Sequence, residues 1–198
     1  MTAPTLGPVD AVVIGTSAGG VDALSVLLPA LPAGLQAAVF VVIHLPRQRP
    51  SHLVEIFQPK CALAVREAQD KERVERGTVY FAPPDYHLLV ERGPAIALSV
   101  DELVNFSRPS VDVLFESAAD VYGASLLGVI LTGASQDGAA GLQAIRRAGG
   151  KTIVQEPATA QVPVMVESAL KRGPADFVLS LEDIAVRLGT LEPVVPQS

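Results

Sequence analysis

The sequence predicts an α/β domain: a doubly wound, mostly parallel sheet with helices on both faces and a local antiparallel β-hairpin. Three observations lead there. Apolar runs such as VDAVVI at 9–14, AAVFVVI at 37–43 and LLGVIL at 126–131 have the length and β-branched content of fully buried strands. Segments with helical apolar spacing separate them, as crossover helices separate parallel strands. Small-residue turns, GTSAGG at 15–20 and TGASQDG at 132–138, close two of the runs.

Taken in order, the strand at 9–14 ends in the turn 15–20, and a helix follows over 21–28 until Pro29 and Pro32 stop it. The strand at 37–43 leads through His44-Leu45-Pro46 and a polar loop to a helix at 51–57. Short strands are expected at 63–67 and 78–81. A hairpin pairs 88–90 with 96–100 across the turn formers Glu91-Arg92-Gly93-Pro94. A helix runs from Ser110 to Tyr122, with Val111, Leu114, Phe115, Ala118 and Ala119 near one face. After the strand at 126–131 come a helix at 139–148, a strand at 151–155, a helix opened by Pro163 and running to Lys171, and a strand at 177–179. Ser180-Leu181-Glu182-Asp183 has the Ser-x-x-acid form of a helix N-cap and opens a last helix to about 188. Six to eight strands with short connections make one domain over 9–191, with an extension at 1–8 and a tail at 192–198.

Composition narrows the function. The 198 residues are 49% hydrophobic and 18% charged, enough to bury a core. Fifteen Lys and Arg against 21 Asp and Glu give a net charge of −6, the wrong sign for a protein that neutralises phosphates, so no nucleic acid is expected as partner. A lone Cys61 offers neither an internal disulfide nor a zinc cluster, which fits a cytoplasmic location. No basic segment precedes an apolar run at the N-terminus, and no apolar stretch reaches membrane-spanning length, so neither a signal peptide nor membrane insertion is expected. There are three histidines, His44, His52 and His87, from which any imidazole chemistry must choose.

In open α/β sheets, ligands and reacting groups gather beyond the C-terminal strand ends. That rule brings Ser17, His44 and Asp137 to one edge. A serine hydroxyl needs an imidazole to take its proton, and the imidazole needs a carboxylate to fix its tautomer. Backbone amides at a helix start next to small residues are suited to an oxyanion. A phosphate-binding turn is the competing reading, but G-x-x-x-G-G at 15–20 lacks dinucleotide spacing, and His44 stands where a ribose-binding acid would be. Bland readings remain for each residue alone: Ser17 as a helix cap, His44 as a histidine satisfied by backbone, Asp137 as a turn residue. His52 belongs on a helix surface, and Asp85 and His87 at the rim of the site.

Five segments in order carry a resemblance: VIGTSAGG at 13–20, VIHLP at 42–46, YFAPPDYHLLV at 80–90, SRPSVDVLF at 107–115 and GVILTGASQDGAAGL at 128–142. They resemble the chemotaxis protein-glutamate methylesterase (CheB-type) catalytic domain over about 9–188. The resemblance implies a serine esterase with Ser17 as nucleophile, His44 as general base and Asp137 as orienting carboxylate. The reaction so implied is hydrolysis of glutamate methyl esters on chemoreceptor cytoplasmic helices with release of methanol, with deamidation of receptor glutamines in some members and no expected need for a metal or cofactor. Ala18, Gly19, Ala134 and Arg108 fall at the implied oxyanion and substrate cleft. Where many members have Thr after the nucleophile this chain has Ala18, and Ala134-Ser135-Gln136 replaces the common Met-Gly-Asn, so one wall of the pocket differs. A catalytically weakened signalling or binding module of the same fold is the alternative reading, and an anion-binding domain a third.

The expected partner is the methylated chemoreceptor cytoplasmic domain. Many such enzymes carry a receiver domain ahead of the catalytic one, and this chain begins eight residues before its first strand. It is therefore expected to be a catalytic domain without a receiver, standing alone or cut from a longer protein, with a separate receiver or regulatory protein as a candidate partner. A glutamate-rich receptor helix would be repelled by the −6 charge, so Arg47, Arg49 and Arg108 are expected to dominate locally.

Overall fold

The computed structural model of the chain describes residues 6–45 and 50–191. Nine strands lie among them, one more than the upper expectation. Seven form one sheet, all neighbours parallel: β1 (Ala11–Thr16), β2 (Ala38–Ile43), β3 (Ala64–Glu67), β4 (Thr78–Phe81), β7 (Leu126–Ile130), β8 (Lys151–Gln155) and β9 (Phe177–Leu179). Their order is β3-β4-β2-β1-β7-β8-β9. β5 (His87–Glu91) and β6 (Ala95–Ser99) pair antiparallel as the expected hairpin.

Alternation along the buried strands sends successive side chains to opposite faces. Val12 and Ile14 of β1 join one core with Leu24, Leu27 and Val41. Val13 joins the other with Phe40, Tyr80, Leu114 and Phe115. The helices divide accordingly. α1 (Gly20–Leu27), α2 (Leu53–Phe57) and α6 (Leu181–Gly189) feed the first core; α3 (Val111–Tyr122), α4 (Ala139–Arg147), α5 (Val164–Arg172) and the hairpin feed the second. Ser180 caps α6 as its sequence requires, its hydroxyl accepting from the Asp183 amide at 3.1 Å. Among the described residues no helix is long and apolar enough to cross a membrane.

Several details differ from expectation. β1 runs two residues further, through Gly15 and Thr16, because Gly15 pairs with Val42 and Ile130 on either side. A Cβ there would lie 2.3 Å from Val111 Cγ1, so glycine in this position admits α3 against the sheet. α2 begins at Leu53 instead of Ser51. His87 is not a rim residue: it is 1% exposed at the start of β5.

The sheet order reverses at β1, whose neighbours β2 and β7 depart to opposite sides. Loops leaving the C-terminal ends of these strands splay apart and form a crevice. It is the three turns after β1, β2 and β7 that hold Ser17, His44 and Asp137.

Candidate active site

Ser17 is the first residue past β1. Its amide donates to the Thr132 carbonyl at 3.0 Å, and Thr16 Oγ1 donates to the same carbonyl at 2.8 Å. Thr132 Oγ1 donates to Ala18 O at 2.9 Å and accepts from the Val162 amide at 2.9 Å, so one buried threonine joins the β1 turn, the β7 turn and the approach to α5. Gln155 Oε1 takes the Thr132 amide at 2.9 Å. Ser17 does not cap α1. Gly19 holds that position with φ 79°, a left-handed conformation natural to glycine, and supplies no side-chain cap. Ser17 is partly exposed, Ala18 and Ala134 are exposed, and among the described residues the amides of Ala18, Gly19 and Ala134 make no hydrogen bond. The turn thus offers unoccupied donors beside a serine hydroxyl.

His44 follows β2, and its amide donates to the Thr16 carbonyl at 3.3 Å; Thr16 and Ile43 are register partners, so Ser17 and His44 leave adjacent strands side by side. The ring is not satisfied by backbone. Nε2 lies 2.9 Å from Asp137 Oδ2, and among the described residues no hydrogen bond joins His44 to Ser17 Oγ. With Nε2–H donated to the carboxylate, Nδ1 is the basic atom of the ring.

Asp137 is fully buried, yet it does not serve its own turn alone. Oδ2 accepts from His44 and from the Val111 amide at 2.6 Å; Oδ1 accepts from Ser110 Oγ at 2.8 Å, Asn105 Nδ2 at 3.0 Å and the Asp112 amide at 3.1 Å. The carboxylate sits on the N-terminus of α3, where the helix dipole favours negative charge. Burial by itself would raise its proton affinity, but the bonds from His44, the Val111 and Asp112 amides and Asn105 outweigh that and hold it below the usual carboxylate range.

The capping is reciprocal. Asp112, in the first turn of α3, accepts from the Gly141 amide at 2.6 Å in the first turn of α4, while Asp137, just ahead of α4, caps α3. Asn105 Nδ2 bridges the two acids, 2.8 Å from Asp112 Oδ2. His87 closes the assembly from β5: Nδ1 accepts the Ser110 amide at 3.2 Å and Nε2 donates to the Glu102 carbonyl at 2.9 Å. It holds the start of α3 as a neutral imidazole.

Arg108 is not a free cation in the cleft. Nε and Nη2 donate to Asp85 Oδ1 at 3.1 and 2.8 Å, and Nη1 donates to the Val100 and Asp101 carbonyls at 2.7 and 2.9 Å. It pins the loop between β6 and α3. Arg47 and Arg49 lie outside the described residues. Sequence reasoning missed Asn105, Asp112 and the role of Ser110. Ser110 has the residue type of a helix cap, but its hydroxyl serves Asp137 instead of its own helix.

A doubly wound α/β domain with a serine, a histidine paired to a buried carboxylate and open backbone amides at its switch point has the layout of a serine hydrolase. The CheB methylesterase family model matches residues 12–188, and the chain belongs to that family. A relative from Leptospira interrogans is 46% identical over 176 residues, covering 89% of this chain and 91% of its own. The protein-glutamate methylesterase/protein-glutamine glutaminase of Bordetella parapertussis is 43% identical over 183 residues, covering 90% of this chain but 52% of that protein. The chain thus spans nearly all of one relative and about half of the other. The Thermotoga maritima CheB methylesterase catalytic domain superposes with a TM-score of 0.88 at 35% identity, covering 93% of this chain and 99% of that one.

Proposed function

We propose that the chain is a protein-glutamate methylesterase acting on methylated chemoreceptor cytoplasmic helices, with Ser17, His44 and Asp137 as its catalytic groups. The observation that carries this reading is the 2.9 Å contact of His44 Nε2 with Asp137, which leaves Nδ1 as the ring atom for Ser17, whose turn leaves the adjacent strand. Nδ1 takes the Ser17 hydroxyl proton as Oγ attacks the ester carbonyl, and the amides of Ala18, Gly19 and Ala134 are the candidate donors to the oxyanion. The same proton passes to the departing methoxide, methanol leaves, and a glutamyl ester of Ser17 remains. Water then gives a proton to Nδ1 and attacks the acyl carbon; as the bond from that carbon to Ser17 Oγ breaks, the proton passes from Nδ1 to Oγ, restoring the serine and leaving the receptor glutamate as the free acid. An amide substrate follows the same path with ammonia as the leaving group, a glutaminase activity. Asp137 stabilises the imidazolium formed in both halves.

Substrate recognition belongs to the exposed rim, where Ala134 and Gln136 are exposed and Ala18 stands beside the nucleophile. Arg108 acts there through the loop it holds. Residues 9–191 form the catalytic unit, and a separate receiver or regulatory protein is a candidate partner.

The test is methanol release from methylated chemoreceptor by the purified chain and by Ser17→Ala. Release by the first alone supports the reading. Equal release by both overturns Ser17 as nucleophile, and release by neither favours a binding module of the same fold.

A further inference from the structure

Resting on that assignment of the triad, we infer that Asn105 is a positioning residue of the site: its amide, shared between Asp137 and Asp112, keeps two buried carboxylates charged side by side and Asp137 an anionic partner for His44.

The geometry is specific. One nitrogen with two N–H groups meets one oxygen of each acid, at 3.0 Å for Asp137 and 2.8 Å for Asp112. Two carboxylates bridged through a single atom are close enough to raise each other's proton affinity, and both are withdrawn from water. Every partner of either acid is a donor: amides, the Ser110 hydroxyl, His44 and Asn105. Among the described residues no acceptor stands ready for a shared proton. Asn105 is the bridging donor, and an Asp in its place would add a third acceptor where donors are required. Asp112 shows the tension: burial pushes its carboxyl up and the charge of Asp137 adds to this, against the Gly141 amide and Asn105.

The backbone delivers the amide inward. Asn105 has φ 51°, in the left-handed region that Asn tolerates better than most residues, inside a turn closed by mutual amide–carbonyl bonds of Val104 and Ser107 at 3.2 and 2.9 Å. The other titratable groups facing the pair are His44 beyond β2, His87 on β5 acting through Ser110, and Glu116 one turn along α3, which Arg147 of α4 partly offsets.

The experiment compares pH profiles of kcat/KM for methanol release from a methylated chemoreceptor cytoplasmic fragment. Asn105→Gly removes the amide at a backbone angle glycine accepts. Its acid limb is expected to move up by about one pH unit, since a proton then satisfies the carboxylate pair, with the rate at pH 7 down about tenfold and KM within about twofold. Asp112→Asn in that background removes the second charge and offers a new amide from the other side, so the limb is expected to return toward the wild-type position. Asn105→Ser, with one donor, falls between and keeps the measurement available if the glycine variant melts too low. An acid limb unmoved in Asn105→Gly, or one that Asp112→Asn does not restore, overturns the inference. Asp137→Ala separates the two levels: full activity there overturns the triad itself, whereas an inactive Asp137→Ala with an unmoved Asn105→Gly limb overturns only Asn105.

Discussion

His44 meets Asp137 through Nε2, at 2.9 Å, on the carboxylate oxygen that the Val111 amide also occupies at 2.6 Å. The ring is therefore held by a carboxylate that the start of α3 has already fixed. Asp137→Asn puts an NH2 group among five donors, and whichever way the amide turns, two or three of them lose their acceptor. The expected result is a fall in kcat of about 10⁴, as when a triad carboxylate is lost and the imidazole takes the wrong tautomer, with KM little changed. Steady-state kinetics of methanol release checks this; a fall below about tenfold would place the orienting role elsewhere.

Gly133 lies in the β7 turn, 2.9 Å by its hypothetical Cβ from the Cβ of Ser17 and 2.4 Å from Met165 Sδ. Met165 is flexible and can shift, but the Ser17 side is set by backbone bonds to Thr132. Gly133→Ala is thus expected to displace the nucleophile, lowering kcat by about 10²-fold, as misplacement of about 1 Å does, while the fold remains by circular dichroism. Wild-type activity in a folded Gly133→Ala would show that the serine turn tolerates displacement.

Arg108→Lys separates charge from geometry. Lysine keeps the positive charge but cannot hold Asp85 and two carbonyls at once. A structural role predicts a melting temperature lower by about 3–6 °C, for a loss of about 1–2 kcal/mol. A steering role predicts an unchanged melting temperature and a demethylation rate that keeps its salt dependence. The first outcome is expected, because the guanidinium is largely covered while its partner Asp85 is half-exposed.

Several elements of this fold were legible from short apolar runs set between turn formers. β4, β8 and β9 occupy the stretches their apolar runs define, and β7 and α4 differ from expectation by one residue at an end. β1 was harder, since Gly15 and Thr16 look like a turn until their pairing on both sides is known. The strand-end rule placed Ser17, His44 and Asp137 together because it depends only on topology. Asn105, Asp112 and His87 were illegible for the opposite reason. Their roles come from contacts between α3, α4 and β5, and no local pattern encodes a carboxylate that caps a neighbouring helix. The pairing of Arg108 was not legible either, because its loop has no periodicity from which to infer that Asp85 and two carbonyls meet its guanidinium.

Acid stability should divide Asp176 from Asp112. Asp176 ties β8 to the start of β9. Burial would raise its carboxyl, but the Thr152 hydroxyl, Lys151 and the Thr152 amide together hold it below the usual range. A folded value below the unfolded one, about 3.9, means that its stabilisation is present above that pH and lost as pH falls through the folded value. Asp112 shifts the other way, so the folded chain binds a proton that the unfolded chain has released, and stability falls as pH rises from the unfolded value through the raised folded one. Urea unfolding of wild type, Asp176→Asn and Asp112→Asn over pH 7.5 to 3.5 reads the difference. The advantage of wild type over Asp176→Asn should be flat above about pH 5 and shrink below about pH 4, while its advantage over Asp112→Asn should grow as pH falls from neutral. Parallel curves for the two variants would mean that their surroundings do not shift the two acids in opposite directions.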